Sequence, residues 1–187
     1  MIKFKFIYLS LFFFAAVLSC NDDDDPIIIN PEEVITTLTA TLTPPGVGAT
    51  IPLQSRDLDG DGPNAPIITV SNNLTANTTY LGTVKILNEL VSPAEDVTIE
   101  IEEEGTTHQF FFNLSNRIAS INYSDMDINN DPIGIEFTLT TNNVATGNLT
   151  ITLIHEPIKS ATGVSSGDIT NAGGETDIEA TFAITVQ

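Results

Sequence analysis

The sequence predicts an all-β fold, an antiparallel two-sheet β-sandwich of immunoglobulin-like or jelly-roll type, and three observations lead there. From residue 34 onward apolar and polar residues alternate with period 2, and the alternation is carried by Thr, Ile, Val and Phe, which suit a half-buried pleated surface. Between the alternating stretches lie turn-forming clusters: Pro44-Pro45-Gly46, Asp59-Gly60-Asp61-Gly62-Pro63, Asn129-Asn130-Asp131-Pro132 and Asn171-Ala172-Gly173-Gly174. Few segments carry a helical period. Many short strands punctuated in this way are the pattern of two packed sheets.

Taken in order, strands are expected near 35–42, 50–54, 67–70, 80–87, 97–102, 109–114, 119–123, 133–140, 148–154 and 178–186. The cleanest alternation is in 97–102, where Val97, Ile99 and Ile101 face one way and Thr98, Glu100 and Glu102 the other. That pattern predicts a strand with one wet face. Glu103-Glu104-Gly105 then predicts a turn into His108–Leu114 as its hairpin partner, with a more buried pattern.

The first 33 residues have a different character. Lys3 and Lys5, an apolar run from Phe6 to Val17, and Ser19 before Cys20 form the three parts of a secretion signal. The run is shorter than the roughly 20 residues a spanning helix needs. Val17-Leu18-Ser19-Cys20 resembles the lipobox of bacterial lipoproteins, with Val17 and Leu18 where that motif prefers Leu and a small residue. The resemblance implies a diacylglyceryl group on the Cys20 sulfur, cleavage before it, and acylation of the new amine. Cys20 is the single cysteine, and Asn21 and four aspartates follow it. A buried role for that thiol is disfavoured, because such aspartates do not enter a core unpaired.

Two or three acyl chains make membrane attachment durable, each buried methylene adding about 0.8 kcal/mol. The expected organisation is therefore a signal peptide at 1–19, a lipidated cysteine with an acidic tether at 20–33, and a single β-sandwich domain at 34–187. Asp22, Asp23, Asp24 and Asp25 resemble the lipoprotein export signal of Bacteroidota, which implies the outer face of the outer membrane. The same residues also make a self-repelling, extended tether.

The full chain has 6 basic and 25 acidic residues and a formal charge of −19. Loss of residues 1–19 removes Lys3 and Lys5, leaving 168 residues with 4 basic against 25 acidic, net −21. Such a surface favours solubility, attracts cations and repels phosphate backbones, so nucleic acid is excluded as a partner class. With Cys20 lipidated, no disulfide is available and the core depends on packing.

Two acidic runs have the spacing of oxygen ligands around a hard cation. In the first, Asp57, Asp59 and Asp61 alternate and Gly62 follows, resembling the first half of an EF-hand loop, with Ile68 where the bidentate Glu would stand. In the second, Asp125, Asp127, Asn129 and Asp131 alternate and Glu136 falls at the twelfth position, with Asn130 in place of the central glycine. Both runs are candidate Ca²⁺ sites, and both also fit acidic turn-forming loops, since Asp, Asn and Gly are what tight turns select. His108 and His155 are expected at strand ends without a ligand role, lacking the spacing of a metalloprotease helix. Glu175-Thr176-Asp177 after Gly173-Gly174 either displays two carboxylates or simply enters the last strand.

No nucleophile elbow, phosphate loop or mature nucleophilic cysteine is present in the sequence, so a non-enzymatic module is expected. A carbohydrate-processing accessory protein or hydrolase is the alternative. It would use paired carboxylates, although the chain has no tryptophan for a sugar platform. The expected partners are the membrane, through lipid, and a protein or glycan ligand.

Arg56–Pro63, Thr79–Val84, His108–Phe111 and Gly167–Asp177 together resemble a family of Bacteroidota surface lipoproteins, over nearly the whole chain. Some of its members carry the label type 1 periplasmic binding fold superfamily protein. That fold needs repeated βαβ units in two lobes, whereas strands joined by turns predict a sandwich. The resemblance brings no catalytic or binding residues with it.

Overall fold

The computed structural model describes residues 34–60 and 62–187. The segment expected to be a signal peptide, Cys20, the acidic residues Asp22 to Asp25, and Asp61 lie outside the described residues. The described residues gather into one compact unit.

The fold is all-β, built from two antiparallel sheets. The larger contains β1 (Thr37–Thr43), β2 (Ile51–Arg56), β3 (Ile67–Val70), β4 (Thr79–Asn88), β5 (Glu95–Asp96), β7 (Ala119–Tyr123) and β8 (Glu136–Thr141), in the order β3-β2-β1-β4-β8-β7 with β5 paired to β4. The smaller contains β6 (His108–Leu114), β9 (Ala145–His155) and β10 (Glu175–Val186), in the order β10-β9-β6. The alternation seen in the sequence is what builds the core. Tyr80, Val84 and Ile86 of β4 are buried while Leu81, Thr83 and Lys85 point outward. These meet Phe110, Leu149, Ile151, Leu153, Phe182 and Ile184 of the smaller sheet in one apolar cluster. Each such fully buried side chain contributes about 1.5–3 kcal/mol.

Residue pairing explains two local sequence choices. Gly82 lies opposite Phe137, and a Cβ on Gly82 would stand 2.3 Å from the Phe137 ring, so the glycine makes room for a fully buried aromatic. At one corner Leu74 bridges Val186 in parallel, Leu74 N–H donating to Thr185 O at 2.8 Å, which ties the chain after β3 to the end of β10.

The expected strand at 97–102 is a correction. Thr98–Glu103 is a short helix, α1. Val97 and Ile101, four apart, are 4% and 0% exposed, whereas Ile99 is 57% exposed. A helical turn brings positions i and i+4 to one face and turns i+2 away. Thr98 supplies the local reason: its Oγ1 accepts from Ile86 N–H at 2.8 Å and donates to Ile86 O, so one side chain satisfies the β4 edge where a strand would have run. The expected hairpin is therefore also absent, and β6 pairs with β9 instead. The buried pattern of β6 has its own cause. Phe110 faces the main core, while Phe111 packs with Ile154, Val164 and Ala172 beneath the segment that links β9 to β10.

Candidate functional site

Of the first acidic run, Asp57 and Asp59 lie in a surface turn. Asp57 Oδ1 accepts from the backbone N–H of Asp59 (3.2 Å) and Gly60 (3.1 Å), and Asp59 Oδ2 accepts from Asn64 Nδ2 at 2.7 Å. The Asn64 side-chain bond holds the Asp59 carboxyl below the usual range. Gly60, at φ +54°, occupies the left-handed region that glycine reaches without strain.

The second run is organised inward. Asp125 grips three consecutive backbone N–H groups, those of Gly134 (2.8 Å), Ile135 (2.8 Å) and Glu136 (3.0 Å). Asp127 Oδ1 accepts from Asn129 N–H (2.8 Å) and Asp131 N–H (3.0 Å), closing a loop in which Asn130 takes φ +67°. Asp127 Oδ2 faces a lysine. Lys159 Nζ donates to it at 2.9 Å, to Pro132 O at 2.9 Å and to Gly105 O. Burial opposes ionisation of Asp127, but the Lys159 bond and the two N–H donors outweigh it and keep the carboxyl below the usual range. The lysine ammonium is thus held in a cage of three oxygens, of which only Asp127 Oδ2 belongs to the residues whose spacing suggested a cation site; the other two are the carbonyls of Gly105 and Pro132. Glu136 opens β8 and is exposed, its backbone rather than its carboxylate turned to Asp125. Lys159 was not legible as a partner, since it lies 32 residues from Asp127 and in no motif.

Beside this cage runs an open groove of about 620 Å³, lined among others by Glu102, Glu103, Ser124, Met126, Ile128 and Ile133. Met126 and Ile128 are 60% and 90% exposed. A groove wall thus presents apolar side chains within an acidic rim.

At one end of the smaller sheet all three strands contribute a side chain with metal-ligand chemistry. His108 at the start of β6 is directly opposite His155 at the end of β9. Glu156 N–H donates to Thr107 O, while Phe110 N–H points the other way, to Ile133 O. The 108–155 pair is therefore of the non-hydrogen-bonded kind, in which side chains approach most closely. The two rings stack with centroids 4.6 Å apart. Asp177 is the extra residue of a β-bulge between Thr176 and Ile178 of β10, and its Oδ1 lies 3.9 Å from His155 Nδ1. A bulge re-aims a side chain in this way. Gly174, at φ +70°, permits the approach, since a Cβ there would meet His155 O at 2.1 Å.

His108 is fully buried, and burial pushes its pKa down despite a 3.2 Å bond from Nδ1 to Glu104 O. A carbonyl only accepts, so Nδ1 carries the proton and Nε2 the lone pair. Both histidines do stand at strand ends, as expected. Their juxtaposition with Asp177 depends on strand register and a bulge, neither of which the sequence displays.

The chain matches no family model, no curated protein and no solved structure at a significant level.

Proposed function

We propose that this chain is a lipid-anchored, surface-displayed binding module without catalytic activity, held on the outer membrane through Cys20. The observation that supports a binding role best is the groove beside the Asp127–Lys159 cage, where exposed Met126 and Ile128 stand within an acidic rim that includes Glu102 and Glu103. Concave sites that mix apolar walls with a few polar groups are where ligands bind. The charge of the chain favours a cationic ligand with an apolar portion. Among the described residues no helix is long and apolar enough to cross a membrane; the anchor in this reading rests on the lipobox-like Val17-Leu18-Ser19-Cys20.

Location is tested by labelling cells with radioactive palmitate and shaving intact cells with protease. Label on the parent, none on Cys20→Ser, and removal of the labelled domain by shaving are the expected results. Labelled protein that resists shaving refutes surface display, and equal membrane partitioning of Cys20→Ser refutes the anchor.

A further inference from the structure

We propose that His108, His155 and Asp177 form a binding site for a divalent transition-metal ion, with two imidazole nitrogens and one carboxylate oxygen as protein ligands. One ligand atom from each of the three residues lies within 4.8 Å of the others. Tetrahedral coordination at ordinary Zn–N and Zn–O lengths sets ligand atoms about 3.4 Å apart. Closing the cluster on an ion therefore needs the ligand atoms to draw in by about an ångström and the two imidazoles to turn out of their stack, in which the ring planes lie 28° apart; His155, 26% exposed, has the more room to do so.

Three features separate this cluster from a chance meeting of polar groups. The first is the donor set: imidazole nitrogen with carboxylate suits Zn²⁺ and its neighbours, whereas Ca²⁺ takes oxygen alone. The second is the outer support. The Glu104 carbonyl accepts from His108 Nδ1, which fixes the ring and turns the Nε2 lone pair away from that bond, the arrangement that metal-bound histidines use. The third is the backbone. The bulge at Asp177 and the glycine at Gly174 are both special conformations, and together they bring β10 against the end of β9. Three protein ligands leave a fourth position for water or a ligand group. An ion there would also pin β6, β9 and β10 together at one end of the smaller sheet. The site is separate from the two acidic runs and does not depend on the lipid anchor or the groove.

The test uses the full-length chain in detergent, stripped with chelator and titrated calorimetrically with ZnCl₂. The expected result is saturable binding of one Zn²⁺ per chain, undisturbed by excess Ca²⁺, with a rise in melting temperature. His155→Ala and Asp177→Asn should each weaken binding by about tenfold or more. Absence of saturable binding, or parental affinity in His155→Ala, overturns the proposal. X-ray absorption on the Zn²⁺-loaded parent needs no substitution: two imidazoles in the shell support the site, and an oxygen-only shell overturns it.

Discussion

Lys159 Nζ stands 2.9 Å from Asp127 Oδ2, and the two side chains are only 6% and 2% exposed. A buried pair of this kind is well satisfied here, because two backbone carbonyls take the other protons of the ammonium and two backbone N–H groups take the other carboxylate oxygen. Removing one partner leaves a charge without compensation in a place largely closed to water. Lys159→Met is therefore expected to destabilise the fold by about 3–5 kcal/mol, measured by urea denaturation. Adding Asp127→Asn in the same chain should recover part of that loss. Equal stability of Lys159→Met and the parent would mean the cage holds no charge that matters.

A half-buried pair behaves differently. Arg56 clamps Glu89 through two parallel bonds, Nε to Oε1 at 2.9 Å and Nη2 to Oε2 at 2.7 Å, and Thr37 Oγ1 donates to the same carboxylate. The Arg56 bonds, followed by that from Thr37, hold the Glu89 carboxyl at about 2 against an ordinary value of 4.5. A depressed carboxyl stabilises the folded state above its unfolded pKa, and the contribution fades as pH falls through the folded value. The melting temperatures of the parent and Glu89→Gln should therefore differ near pH 5 and converge as pH falls toward 2. A gap that is constant across this range would assign the effect to packing.

Tyr123 joins the sheets. Its hydroxyl, on β7 of the larger sheet, donates to Phe110 O of the smaller at 2.7 Å and accepts from the buried Gln109 Nε2 at 3.3 Å. Tyr123→Phe should cost about 1–2 kcal/mol, since it leaves a carbonyl in the interior without its donor. Burial pushes the phenol up to about 12. A raised pKa means the contribution is complete below the unfolded value near 10 and is lost as pH rises through about 12. Ultraviolet titration of the chain lacking residues 1–19, and so Tyr8, in a Tyr80→Phe background should show Tyr123 ionising late, together with unfolding. Ionisation near 10 in the folded protein would contradict the buried hydroxyl.

Much of the sandwich was legible because alternation and turn clusters reinforce one another. Ile67–Val70 and Ala119–Tyr123 are strands with the bounds the sequence suggests, each set off by turn residues. β8 begins at Glu136 rather than Ile133 because the Asp125 carboxylate takes the N–H groups of residues 134–136. The acidic runs were legible as loops, but their partners were not. Lys159, the His108–His155 register and the bulge at Asp177 are facts of tertiary pairing, which a period of two does not encode.

The segment Val97–Ile101 tests that limit directly, because strand and helix readings of the same residues make opposite forecasts. In a strand, Val97, Ile99 and Ile101 share a face and truncating any of them would cost alike. In the helical turn, Ile101 is fully buried and Ile99 is 57% exposed. Ile101→Ala is expected to cost about 2–5 kcal/mol through lost burial and a residual cavity. Ile99→Ala should stay within about 0.5 kcal/mol of the parent. Thr98→Val should add a penalty of about 1–3 kcal/mol, because the β4 edge at Ile86 loses its only described side-chain partner. Comparable losses at Ile99 and Ile101 in a denaturation series would restore the strand and remove α1 from the fold.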